Sequence, residues 1–214
     1  IVAPEGFVHL IPAVFSDSEA APLLCAGAIG YRSLRLTGLR QGGRLGLSGF
    51  GASGHLVLKL VRHLFPKTPV FVFARSEEER SFALGLGAVW AGTVEDRPPE
   101  LLDAIIDTTP VWTPVLGALK HLQPGGRLII NAIRKESHDR DILQTLDYPA
   151  HLWMEKEIKS VANVTRRDVR EFLHIAASAG LRPEIEEYPL ERANEALRDL
   201  KSRRIRGAKV LVVS

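Results

Sequence analysis

From residue 44 onward, short and almost wholly apolar runs alternate with longer stretches whose apolar positions recur every three or four residues. Residues 44–47, 70–73, 89–91, 104–107 and 127–131 read as buried strands, and 158–161 as a sixth. The stretches 56–65, 76–86, 115–122 and 165–179 read as helices between and after them. Caps sharpen several boundaries. Ser76 followed by Glu79, and Thr165 followed by Asp168, have capping-box spacing, while Gly85, Gly87 and Gly180 suit helix ends. Strands alternating with helices at these spacings predict an α/β fold with a doubly wound parallel sheet, whose ligand site lies at the carboxyl ends of the strands. The tail reads strand 184–188, helix 190–201 and strand 209–213.

The first part of the chain is organised differently. Residues 1–15 read as a strand or extended connection. Ser16 to Glu19 offers an N-cap and an acidic first turn for a helical run over 20–36, which Gly27 and Gly30 are expected to break into pieces. Between 134 and 157 the pattern is weak, with Trp153 and Met154 expected to pack under a loop.

Ser48-Gly49-Phe50-Gly51-Ala52-Ser53-Gly54-His55 carries the candidate chemistry, because it turns a strand into a helix. A glycine-rich turn there brings backbone N–H groups and a helix N-terminus to one point, where a pyrophosphate can sit. In the Gly-x-Gly-x-x-Gly reading, Gly49 makes the turn, Gly51 lets a cofactor approach the backbone, and Gly54 lets helix and strand pack. Other phosphate loops, methyltransferase folds and plain tight turns share this pattern. A methyltransferase usually needs an acid at the end of the second strand, where Ala74 stands.

Composition narrows the setting. The 214 residues are 45% apolar and 25% charged, as in a water-soluble globular protein, and the net charge of +3 is spread along the chain, which argues against a dedicated nucleic-acid surface. The densest basic run, residues 201–206, is read as a helix end entering a loop. One cysteine excludes an intramolecular disulfide framework and suits a reducing, cytoplasmic compartment. No run of 18 apolar residues suggests a membrane span, and Ile1-Val2-Ala3-Pro4 begins as a processed, truncated or partly observed product would.

The order of these pieces resembles the zinc-dependent alcohol dehydrogenases of the medium-chain dehydrogenase/reductase family, and most closely their cinnamyl-alcohol-dehydrogenase-like branch. The matching residues are Ala20-Ala21-Pro22-Leu23-Leu24-Cys25-Ala26-Gly27, Tyr31, the glycine loop, Leu86-Gly87-Ala88, Asp107-Thr108, Gly125-Gly126-Arg127, Ala193-Asn194-Glu195-Ala196-Leu197 and the stretch 207–212. The resemblance implies a Rossmann domain over 27–165. Flanking segments, 1–26 and 166–214, would then belong to an incomplete catalytic (GroES-like) domain. It implies hydride transfer between NADP(H) and a primary alcohol or aldehyde. Cys25 would be the third protein ligand of the catalytic zinc, the remaining ligands coming from a domain this chain lacks; taken alone, a lone cysteine reads as a small buried apolar residue. A chain of this extent would bind cofactor without working catalysis. The alternatives are a catalytically inactive dinucleotide-binding or interaction module and a zinc-free quinone or enoyl reductase.

Cofactor choice follows from charge. NAD-binding members place an acid at the end of the second strand, whereas here Arg75 can pair with a 2′-phosphate and Ser76 can donate to it, so NADP is favoured over NAD. The other reading keeps Ser76 as a helix cap and Arg75 on the surface. Fold and resemblance together add Thr108, with Thr109, at the end of the fourth strand, and Asn131, Ala132 and Ile133 at the end of the fifth. Val161, Ala162 and Asn163 resemble the segment flanking the nicotinamide, and His55 a residue beside the phosphates. Relatives pair through a sheet edge, placed here near 127–134, which implies a homodimer or homotetramer.

Overall fold

The computed structural model describes residues 2–202 and 207–213. After an extended start with one 3-10 turn at Glu5–Phe7, α1 (Asp17–Pro22) opens on a capping box in which Ser16 and Glu19 each accept the other's backbone N–H. The helical run does not break at its glycines. Pro22 removes a donor, and the chain continues through a π turn, Leu23–Gly27, directly into α2 (Ala28–Thr37). Gly27 and Gly30 are instead contact points: a Cβ at either would lie 2.4 Å from the Phe172 ring or 2.7 Å from a Val57 methyl group.

The predicted alternation follows. It comprises β1 (Leu45–Ser48), α3 (Ala52–Leu64), β2 (Val70–Phe73), α4 (Glu77–Gly85), β3 (Trp90–Gly92), β4 (Leu102–Asp107), α5 (Thr113–His121), β5 (Leu122–Ile130), α6 (Tyr148–His151) and β6 (Glu157–Ser160). The six strands form one parallel sheet in the order β3-β2-β1-β4-β5-β6. This is the strand order of doubly wound dinucleotide folds, with its reversal between β1 and β4. β1 and β2 are buried at every position, which is why they read as continuous apolar runs. Their alternate residues feed two cores. Leu45, Leu47, Val70 and Val72 pack with α2, α3 and α7 (Arg166–Ser178), whereas Phe71 and Phe73 pack with α5.

α7 starts at the predicted Thr165–Asp168 capping box, and Asp168, fully buried, also meets Arg35 at 3.0 Å and Arg32 at 3.5 Å, clamping α7 onto α2. Beyond it, β7 (Ile185–Pro189) and β8 (Ala208–Val212) flank α8 (Ala193–Lys201) and pair with each other in a separate two-stranded sheet. Of the basic run at 201–206, Lys201 ends α8, and residues 203–206 lie outside the described residues.

Two expectations are corrected. Residues 127–134 are not an edge, because β5 lies between β4 and β6; the sheet's edges are β3 and β6, and Glu157–Ser160 is exposed at every position. Trp153 and Met154 do not pack under a loop: they are 54% and 51% exposed, with Trp153 set edge-on to Tyr148. Among the described residues, no helix is long and apolar enough to cross a membrane.

Candidate functional site

A cleft of about 670 Å³ opens at the carboxyl ends of β1, β2 and β4, where the strand order reverses. Its floor is the glycine loop. Gly49 has φ +82°, and a Cβ there would fall 2.7 Å from Thr108 Oγ1; Gly54 faces the Gly49 carbonyl, which an added Cβ would meet at 2.7 Å. Gly51 differs from both, since a Cβ on it would meet nothing within 4 Å. The backbone is therefore bare on the side of Gly51 where α3 presents its first-turn amides, which no side chain among the described residues caps. Ala52 and Ser53 line the same cleft, as does Phe50, whose ring is buried edge-on against Phe82.

Arg75 stands exposed on the wall beyond β2, and the turn beneath it is fixed by Arg80, whose Nη1 donates to the carbonyls of Ala74 at 3.0 Å and Arg75 at 2.7 Å. Ser76 does not line the cleft. It caps α4 by accepting from Glu79 N–H at 3.1 Å, and only this half of the expected capping box forms, while Glu79 itself lines the cleft. On the opposite wall Thr108 ties β4 to β1, its hydroxyl donating to the Ser48 carbonyl at 3.0 Å. Asn131, Ala132 and Ile133 follow β5, and Val161, Ala162 and Asn163 follow β6, so all six lie at the same edge of the sheet but outside this cleft. Asn131 Nδ2 is buried without a hydrogen-bond partner among the described residues, and Asn163 holds φ +118°.

His55 corrects its expected place beside phosphates. It is fully buried on the inner side of α3, where Nδ1 donates to the Gly51 carbonyl at 3.1 Å and Nε2 accepts from Glu184 N–H at 3.2 Å. These two partners fix the neutral tautomer with its proton on Nδ1. Burial pushes the imidazole down to about 4.

Sequence reasoning missed Glu79, Glu95, His138 and Asp139, all of which line the cleft. Asp139 Oδ2 accepts from the amides of Trp112 at 2.7 Å and Thr113 at 2.8 Å, capping α5 from 27 residues downstream. Burial works against its charge, but the Thr113 and Trp112 bonds hold its carboxyl below the usual range. No local pattern announces so distant a cap. Cys25 lies exposed in the π turn, and among the described residues no three His, Cys, Asp or Glu side chains are grouped to hold a metal ion.

Residues 84–212 match the family model for zinc-binding dehydrogenases. The probable alcohol dehydrogenase AdhA of Mycobacterium tuberculosis is 46% identical over 210 residues, a match covering 98% of this chain and 59% of that protein. A probable cinnamyl alcohol dehydrogenase of Eucalyptus gunnii is 30% identical over 213 residues, covering 96% and 57%. A solved cinnamyl alcohol dehydrogenase of Sorghum bicolor superposes with a TM-score of 0.75 at 25% identity, covering 97% and 58%. The chain thus spans under two thirds of the length of these proteins.

Proposed function

This chain belongs to the zinc-binding dehydrogenase family, and from that premise we propose that it is the NADP(H)-binding portion of an alcohol dehydrogenase acting on primary alcohols and aldehydes. What carries the reading is the bare backbone at Gly51 beside the N-terminus of α3, in a cleft at the reversal of strand order. Gly49 to Gly54 would cradle the pyrophosphate, with Gly49 and Gly54 keeping the loop tight. Arg75 would pair with the 2′-phosphate, and Thr108 would shape the adenosine wall. Ser76, already a cap, keeps its hydroxyl proton to donate toward the same anion. Asn131 Nδ2, Ala132 and Ile133, with Val161, Ala162 and Asn163, would flank the nicotinamide beyond the cleft, which gives the orphan amide a partner. When bound, the nicotinamide supplies the hydride acceptor or donor.

Zinc does not fit the described residues alone, since Cys25 offers one thiolate where a catalytic site takes three protein ligands. Cys25 is read as one ligand of a site completed from outside this chain, and no step is written through the metal. In domain terms, 27–165 forms the dinucleotide unit, with 1–26 and 166–214 as flanking segments joining a catalytic domain; α7 of the latter packs on α2. A cytoplasmic homodimer or homotetramer, paired through the exposed edge at Glu157–Ser160, completes the proposal.

The test is cofactor discrimination by Arg75→Asp. Loss of a charge-assisted phosphate contact should weaken NADPH about tenfold or more while leaving NADH nearly unchanged. Equal losses for both cofactors would remove the 2′-phosphate role of Arg75.

A further inference from the structure

Lys135 follows β5 and carries no part of the dinucleotide pattern, yet its side chain is only 8% exposed. Its ammonium group donates to Asp107 Oδ2 at 2.5 Å, to the Thr109 carbonyl at 2.8 Å and to the Val111 carbonyl at 3.0 Å, which uses all three of its protons. Asp107 is itself fully buried, and its other oxygen accepts from Ser48 Oγ at 3.0 Å and Thr109 Oγ1 at 2.8 Å. Ser48 immediately precedes Gly49. A full negative charge therefore sits directly behind the loop on which a pyrophosphate would rest, and Lys135 is the cation bound to it.

The same segment grips the β4–α5 loop twice more. Glu136 N–H donates to the Pro110 carbonyl at 2.7 Å, and Asp139 holds the amides of Trp112 and Thr113. Pro110, Val111 and Thr113 all line the cleft.

We propose that Lys135 is a positioning residue of the cofactor cleft, which holds the β4–α5 loop in its binding shape and cancels the Asp107 charge so that a polyphosphate can approach the glycine loop. The inference rests on the dinucleotide reading and deepens it. The two effects separate by ligand charge: a misshapen wall weakens every adenine ligand alike, whereas an uncompensated carboxylate weakens only those carrying phosphate.

The test is titration of the purified chain with adenosine and with ADP, for wild type, Lys135→Met, Asp107→Asn and the double variant. For a unit charge near the loop, partly screened, Lys135→Met should lower the ADP-to-adenosine affinity ratio about three- to tenfold, and Asp107→Asn should raise it by a similar factor. The double variant should return the ratio to the wild-type value. If Lys135→Met does not fold, Asp107→Asn and the double variant still decide. A ratio that stays at the wild-type value in Lys135→Met and Asp107→Asn overturns the charge-cancelling role, affinities for both ligands that stay unchanged in Lys135→Met overturn the loop-holding role, and either result leaves the dinucleotide reading standing. Wild-type protein that binds neither ligand overturns both.

Discussion

Acidification should loosen the joint between the glycine loop and the C-terminal segment, and His55 sets the magnitude. Its Nδ1–H···O bond to Gly51 and its Nε2 acceptor contact with Glu184 N–H require the neutral ring. Burial holds its pKa at about 4, against an ordinary 6.5. The folded state thus binds the proton more weakly than the unfolded chain. Above pH 6.5 both states are neutral and His55 contributes no pH dependence. Below that, unfolding takes up a proton and stability falls, until near pH 4 both states are charged and the loss is complete. Two and a half units correspond to about 3 kcal/mol in full, and about 2 kcal/mol is already lost at pH 5. The protonated ring would also turn Nε2 into a donor facing the Glu184 amide. Urea unfolding from pH 7.5 to 4.5 measures this directly, on wild type and on His55→Gln, whose side-chain oxygen can accept from the same amide without titrating. His121, also depressed by burial, titrates in both proteins and cancels in the difference. Stability curves that run parallel over this range would mean that His55 is not held neutral by burial.

Other perturbations test the loop and the π turn that carries Cys25. Gly54→Ala drives a Cβ to 2.7 Å from the Gly49 carbonyl, so the variant should lose about 1–3 kcal/mol in urea unfolding and weaken NADPH binding, because backbone has to move. Gly27→Val places its Cβ against the Phe172 ring at 2.4 Å; a loss of about 1–3 kcal/mol with NADPH affinity retained is expected, since this contact lies under α7 and away from the cleft.

The sheet was legible because parallel strands buried on both faces must be apolar throughout, as Val70–Phe73 is. Caps were legible where the signal is local: Thr165 and Asp168 form the reciprocal pair their spacing predicts. At Ser76 the same spacing overstated the outcome, because Glu79 lines the cleft. The lateral order of strands has no local signature, so the edge was placed at 127–134 and not at β6. Glycines in 20–36 read as breaks because sequence shows missing side chains but not the neighbours that require them gone, here Phe172 and Val57. The Asp107–Lys135 pair and the Asp139 cap join residues 28 and 27 apart, and only the fold brings them together.

In the proposed function, the cleft over Gly51 takes NADP(H). Nicotinamide fluorescence of NADPH and NADH titrated separately into the unmodified chain tests it most directly. NADPH should bind saturably, about tenfold or more tighter than NADH, as a charge-assisted contact to Arg75 implies. No saturable binding of either cofactor, or a preference for NADH, would contradict it.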